Sequence, residues 1–158
     1  MPKGFLEHAN LTVSAPARSS TLLQQLCGWH ERWRGPSQLG GWTIHVGTER
    51  DYLALYSNDQ PVGPYAKGVP LNHIGLVVDD LGAAEAVVLA AGLVPFSHGD
   101  YNPGRRFYFF DWDRIEFEVV SYEEERGSRR GAEKKWRRRG VAFAAKPPSF
   151  VIGRIRHG

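Results

Sequence analysis

Cysteine is nearly absent from this chain. Cys27 is the only one in 158 residues, so no intrachain disulfide can form. Stability has to come from a packed core, and a reducing, cytoplasmic setting is the expectation. Cys27 lies in the apolar run TLLQQLCGW, where a small packed residue is expected rather than a redox thiol. Long hydrophobic runs are missing too. None approaches the roughly 18–20 apolar residues that cross a bilayer, so no membrane partner is expected. The opening MPKGFLEHANL enters an apolar strand almost at once, which leaves no room for a signal or transit peptide. There is no phosphate-binding glycine loop, dinucleotide fingerprint, CxxC pair or G-x-S-x-G elbow.

What is present is ordinary in bulk and unusual in arrangement. Hydrophobic residues make up 42% of the chain, and the length suffices for one sizeable core. The net charge of +3 conceals an asymmetry. Residues 122–158 hold eleven Lys and Arg against four Glu, while the remainder is mildly acidic. The body therefore carries no electrostatic footprint for nucleic acid. The run EKKWRRR in the tail could attract polyanions, and Trp136 could stack on a base. A disordered or loosely docked C-terminal tail over 123–158 is the expectation.

The body says the same thing twice. Residues 6–13 read LEHANLTV and residues 71–78 read LNHIGLVV, each a short apolar strand with a histidine at its third position. After the first comes SAPARSSTLLQQLCG, which reads as a helix capped by Ser19 or Ser20 and stopped by Gly28. Three strands follow: WHERWRG, then WTIHVG, then YLALYS across the turn TERD. After the second comes DDLGAAEAVVLAAG, a helix with an aspartate cap and a glycine stop. It leads to the strands LVPFSHGDY, RRFYFFD and IEFEVVSY, with NPG and WDR as turns. The fold class that follows is α+β: two βαβββ modules at 5–57 and 71–122, joined by a Pro- and Gly-rich linker at 58–70.

Strand alternation puts His8, Asn10 and Thr12 on one face of the first strand, and Glu116 and Glu118 on one face of the last. If the two sheets curl around a common cleft, His8, His73 and Glu116 point into it. Two imidazoles and a carboxylate leave open positions on a divalent metal, and suit Fe, Mn, Zn, Ni or Co. A lone strand histidine is ordinarily structural. Two at equivalent repeat positions, with a glutamate to match, favour a metal site.

Aligning the module ends pairs Ala54 with Glu116. Glu118 shares the face of Glu116, and solvent exposure is its expected fate, with a partner role to a histidine or a substrate contact as the alternatives. Arg105 and Arg106 read first as surface charges beside a turn. Arg106 is the one that could clamp a substrate carboxylate, because it shares the face of Tyr108. Tyr52 and Tyr56 flank Ala54 on its own face.

The motifs LNHIGLVVDDL, FYFFDWDRIEFE and the weaker LEHANLTV, in this order, resemble the vicinal oxygen chelate superfamily. That group includes glyoxalase I, bleomycin- and fosfomycin-resistance proteins, methylmalonyl-CoA epimerase and extradiol dioxygenases. The resemblance covers about residues 5–122. It implies curved mixed sheets around a metal cleft, with ligand positions at His8, Ala54, His73 and Glu116. Alanine cannot bind a metal, which departs from the glyoxalase I and epimerase pattern. The remaining two histidines and one glutamate match the ligand count of the dioxygenases and fosfomycin enzymes. HGDYNPG lacks the Lys and Ser expected of a phosphonate pocket.

The implied function is a metal-dependent enzyme that chelates a small oxygen-rich substrate, by glyoxalase-like lyase or isomerase chemistry or by extradiol-type dioxygenation. Its proton-transfer candidates are His45, Tyr108 and Glu118, and its substrate contacts Asn10, Tyr52, Tyr56 and Arg106. The alternative is a bleomycin-resistance-like binding protein. A homodimer is expected, with His8 able to reach the site of a partner chain.

Overall fold

The computed structural model describes residues 4–38, 40–58, 60–68, 71–101 and 104–122. The basic C-terminal segment lies outside the described residues. The first module runs β1 (His8–Thr12), α1 (Pro16–Cys27), β2 (His30–Pro36), β3 (Trp42–Gly47) and β4 (Tyr52–Ser57). The second runs β5 (Ile74–Val77), α2 (Leu81–Ala90), β6 (Phe96–Tyr101), β7 (Gly104–Phe110) and β8 (Glu116–Ser121). Each forms a four-stranded mixed sheet, ordered β1-β4-β3-β2 and β5-β8-β7-β6. The one parallel pair in each sheet joins its first strand to its last. This is the expected α+β architecture of twin βαβββ units.

The helices follow from local chemistry, with one departure. Asp80 caps α2 by accepting from the Ala83 N–H at 3.0 Å, and Gly92 follows its end at φ +75°. Gly28 closes α1 in the left-handed region, as its sequence predicts. The start of α1 is different. Pro16 stands in the first turn after Ala15, which offers no side-chain cap, so the helix begins earlier than a serine cap would place it. Ser19 and Ser20 lie inside the helix and are buried. Ser20 Oγ accepts from Gln24 Nε2 at 3.1 Å.

Leu22, Leu23 and Leu26 of α1 and Ala84 and Val88 of α2 face one core. The two helices pack on each other, and strand residues from both modules join the same cluster, Val13 and Leu55 from one and Phe107 and Val119 from the other. Cys27 sits at its margin. Burial pushes its thiol up to about 12, which keeps it protonated at neutral pH. Neither helix is long and apolar enough to cross a membrane.

The turn between β7 and β8 is built on Asp111. One carboxylate oxygen accepts from the N–H groups of Asp113 at 2.9 Å and Ile115 at 2.8 Å, and Arg114 passes through φ +67°. Asp113 in turn accepts from the Ser14 N–H at 3.0 Å, which ties the turn to the entry of α1. Burial holds the Asp111 carboxyl up at about 6. A native state that binds this proton more tightly than the unfolded chain loses stability as pH rises from about 4 through about 6.

Two substitutions separate these effects. Asp111→Asn keeps the acceptor and removes the buried charge, so its stability relative to the parent rises across that pH window. Asp111→Ala strands buried N–H groups and costs about 1–3 kcal/mol at either end. Denaturant unfolding at pH 4.5 and 7.5 measures both.

Candidate functional site

Strand pairing defines how the two modules correspond. His8 and His73 hold matching positions, so Asn10 matches Gly75. Asn10 pairs with Ala54 on β4, and Gly75 pairs with Glu118 on β8. The module-two counterpart of Ala54 is therefore Glu118, and Glu116 corresponds to Tyr52. The sequence alignment, which matched Ala54 to Glu116, was two residues out of register. A shift of two keeps every side chain on its face, so alternation cannot detect it. The correspondence extends further. His45 pairs with Ala54 as Tyr108 pairs with Glu118, and Trp33 pairs with His45 as Phe96 pairs with Tyr108.

On the module-two sheet, His73 Nε2 lies 3.0 Å from Glu118 Oε2. A hydrogen on Nε2 bridges the two atoms at this distance, and it occupies the place that a metal ion held by both would take. The other ring nitrogen, Nδ1, bonds the neighbouring Asn72 Oδ1 at 2.9 Å, which fixes the ring and directs Nε2 to the carboxylate. The second oxygen of Glu118 accepts from Arg106 Nη1 at 2.8 Å. Glu118 is thus no solvent-facing edge residue: its side chain is 14% exposed, and that of Arg106 13%. Arg106 is correspondingly not a surface charge beside a turn. Tyr108 stands next to Glu118 and meets His73 edge-on, with ring centroids 5.9 Å apart. Burial, and then the Glu118 carboxylate, hold its phenol above the ordinary value, so it remains a proton donor at neutral pH.

Glu116 has a different environment. It is only 2% exposed, and Lys67 Nζ from the linker lies 2.5 Å from its Oε2. That contact is an ion pair without hydrogen-bond geometry. Tyr65 fastens this part of the linker, donating its hydroxyl to Leu71 O and its N–H to Asp113 O.

The matching face of the module-one sheet is aromatic. His8 stacks on Tyr52 at 5.0 Å, Tyr52 lies 4.6 Å from His45, and His45 lies 5.1 Å from Trp33. Arg32 sits over Tyr52 at 4.5 Å. His8 Nδ1 is paired with Glu7, which leaves Nε2 as the nitrogen available to a ligand. Burial, then the nearby His8 and Arg32, lower the pKa of His45 and keep its imidazole neutral. Neutral imidazole is the form that accepts a proton. Asn10 is exposed beside His8, and Tyr56 is half-buried across from Thr12.

Of the expected ligands, the described chain brings His73 to a glutamate but does not gather His8 with them. Among the described residues no group of three or more His, Cys, Asp or Glu is placed to hold a metal. Sequence reading also passed over Asn72, Trp33 and Lys67. Asn72 was detectable, because it adjoins His73. Trp33 was not, because a register shift between Glu31 and Trp33 breaks the alternation of β2.

No family model matches the sequence, and no curated protein matches it. Solved structures do. A glyoxylase/bleomycin resistance protein/dioxygenase domain from Frankia sp. EAN1pec superposes with a TM-score of 0.66 at 20% identity, covering 77% of this chain and 100% of that one. The fosfomycin resistance protein FosX from Mesorhizobium loti gives 0.58 at 21% identity, covering 76% and 92%. A FosX variant from Listeria monocytogenes, complexed with Mn(II) and 1S,2S-dihydroxypropylphosphonic acid, gives 0.60 at 18% identity, covering 76% and 93%.

Proposed function

We propose, from the vicinal oxygen chelate fold that this chain shares with those structures, that it is a metal-dependent enzyme acting on a small substrate with adjacent oxygens. The observation that carries the reading is the His73–Glu118 pair, two donors 3.0 Å apart, one at the entry to β5 and one on β8, each held by a partner of its own. Neighbouring donors on a metal with bonds of about 2.1 Å are spaced similarly. In this reading Glu118 takes the ligand role expected of Glu116, and Glu116 serves as the charge partner of Lys67.

His8 is the third ligand, supplied by a second copy of the chain. Three features support that. Among the described residues the donors do not gather in one group and His8 Nε2 meets no partner, His8 is exposed, and β1 and β5 both stand at the edges of their sheets. The assembled centre is then His73 and Glu118 from one chain and His8 from the other. A divalent ion there supplies Lewis acidity to a chelated oxygen. The chain's residues do the remainder. His45, neutral and next to Ala54, accepts a proton. Tyr108, neutral and next to Glu118, donates one. Ala54 leaves room where its counterpart carries a carboxylate. Asn10, Tyr52 and Tyr56 line the module-one wall. This division of roles fits a lyase or isomerase reaction on an enolate or diolate, and an iron ion at the same ligands fits ring-cleaving dioxygenation.

A second reading draws on the aromatic row from Trp33 to His8. A face of this kind also suits a bleomycin-resistance-like protein that holds a flat ligand without turnover.

Mn(II) titration of chelator-stripped protein separates the two. The enzyme reading expects one tightly bound ion per chain, lost in His73→Ala. A protein that takes up no Mn(II), and arrives from purification with no transition metal by elemental analysis, supports the binding reading instead.

A further inference from the structure

Arg106 is committed to its own sheet in a way that a substrate clamp is not. Its Nη1 donates to Glu118 Oε1 at 2.8 Å, and its Nη2 reaches Gly104 O at 3.3 Å. Its guanidinium lies under the Tyr101 ring, 4.3 Å from the centroid. That stack depends on Gly99, which pairs with Arg106 across β6 and β7. A Cβ on Gly99 would come within 2.6 Å of Tyr101 Cε1, so only a residue without a side chain lets the ring lie back over the arginine. Nη1 and Nη2 each give a donor to the protein, Nε is buried, and one face is covered, so the guanidinium is turned toward its own sheet rather than toward a substrate carboxylate.

We propose that Arg106 is the positioning residue of the metal-ligating glutamate. By holding Oε1, it leaves Oε2 alone to face His73 Nε2, so that Glu118 presents one oxygen in one orientation. Asn72 does the same for the imidazole. The pair is thereby set before any ion arrives. This inference rests on the metal reading above.

Two effects of Arg106 oppose each other. A cation beside a ligand repels a metal, so removing it should tighten binding. An arginine that fixes the ligand spares the metal the cost of ordering a glutamate side chain, so removing it should weaken binding. Arg106 and Glu118 are both largely buried, so salt weakens neither effect much. The sign of the change therefore reports the role.

The test is Mn(II) affinity of the chelator-stripped full chain, measured from the free-ion EPR signal, for the parent, Arg106→Gln, Arg106→Lys and Tyr101→Leu. Arg106→Gln is expected to bind about 10–100-fold more weakly, the usual cost of losing a ligand's supporting partner. Arg106→Lys, which keeps the charge without the fork, is expected to fall in between. Tyr101 is exposed, so Tyr101→Leu folds normally and removes only the cover on the guanidinium. A weakening of about threefold there supports the proposal even if Arg106→Gln does not fold. Parent-like or tighter Mn(II) binding by Arg106→Gln, or by Tyr101→Leu where Arg106→Gln does not fold, overturns the positioning role and leaves the metal reading standing. A parent that binds no Mn(II) overturns both.

Discussion

Glu118→Ala is expected to lower Mn(II) affinity by about 100-fold or more, beyond the 10–100-fold cost of losing a ligand's supporting partner. Glu116→Gln should leave it within about threefold, less than 1 kcal/mol. The contrast follows from what each carboxylate touches. Glu118 faces an imidazole nitrogen at 3.0 Å and is steadied from behind by Arg106. Glu116 faces the Lys67 ammonium, and its Oε2 is sealed from solvent.

The stability effects should run the other way. Removing the Glu116 charge frees Lys67, which is about half-exposed and returns to water, so Glu116→Gln is neutral or mildly stabilising. Glu118→Ala leaves the Arg106 guanidinium buried without its carboxylate, which destabilises. Side-by-side Mn(II) titrations and thermal unfolding of the two variants give both halves of the comparison. If Glu116→Gln loses the metal and Glu118→Ala keeps it, the ligand assignment reverses.

The two glutamates also show how far the sequence can be read. Alternation puts both on one face, and it is right about that. It cannot say which of them meets His73, because that depends on the stagger between β5 and β8, and the stagger is set by turns and core packing rather than by facing. The βαβββ order was legible because each element carries its own chemistry. β3 alternates in sequence, the turn TERD separates it from β4, and α2 has an aspartate cap and a glycine stop.

The start of α1 was misread for a local reason. Ser19 and Ser20 are good caps in isolation, but Pro16 is pre-shaped for the first helical turn and the chain is already helical when it reaches them. Glu118 reads as a solvent-facing charge because it is a carboxylate on a strand, and Arg106 because it is charged and beside a turn. Their mutual contact, across β7 and β8, exists only once the strands are paired. The separation of His8 from its intended partners depends on how two modules pack, here helix against helix, and no periodicity within one module carries that information.

A metal centre completed between two chains is tested most directly with mixed dimers. His8→Ala and His73→Ala each remove one ligand from every site of their own homodimers, so both should bind Mn(II) poorly. In a dimer with one chain of each kind, one site lacks both histidines and the other has His8 and His73 intact. Differently tagged chains, co-expressed and purified through both tags, should therefore recover about half of the parent's tight Mn(II) capacity. If the mixed dimer binds no better than either parent variant, the two histidines belong to the same chain's site or to none, and the shared centre is contradicted.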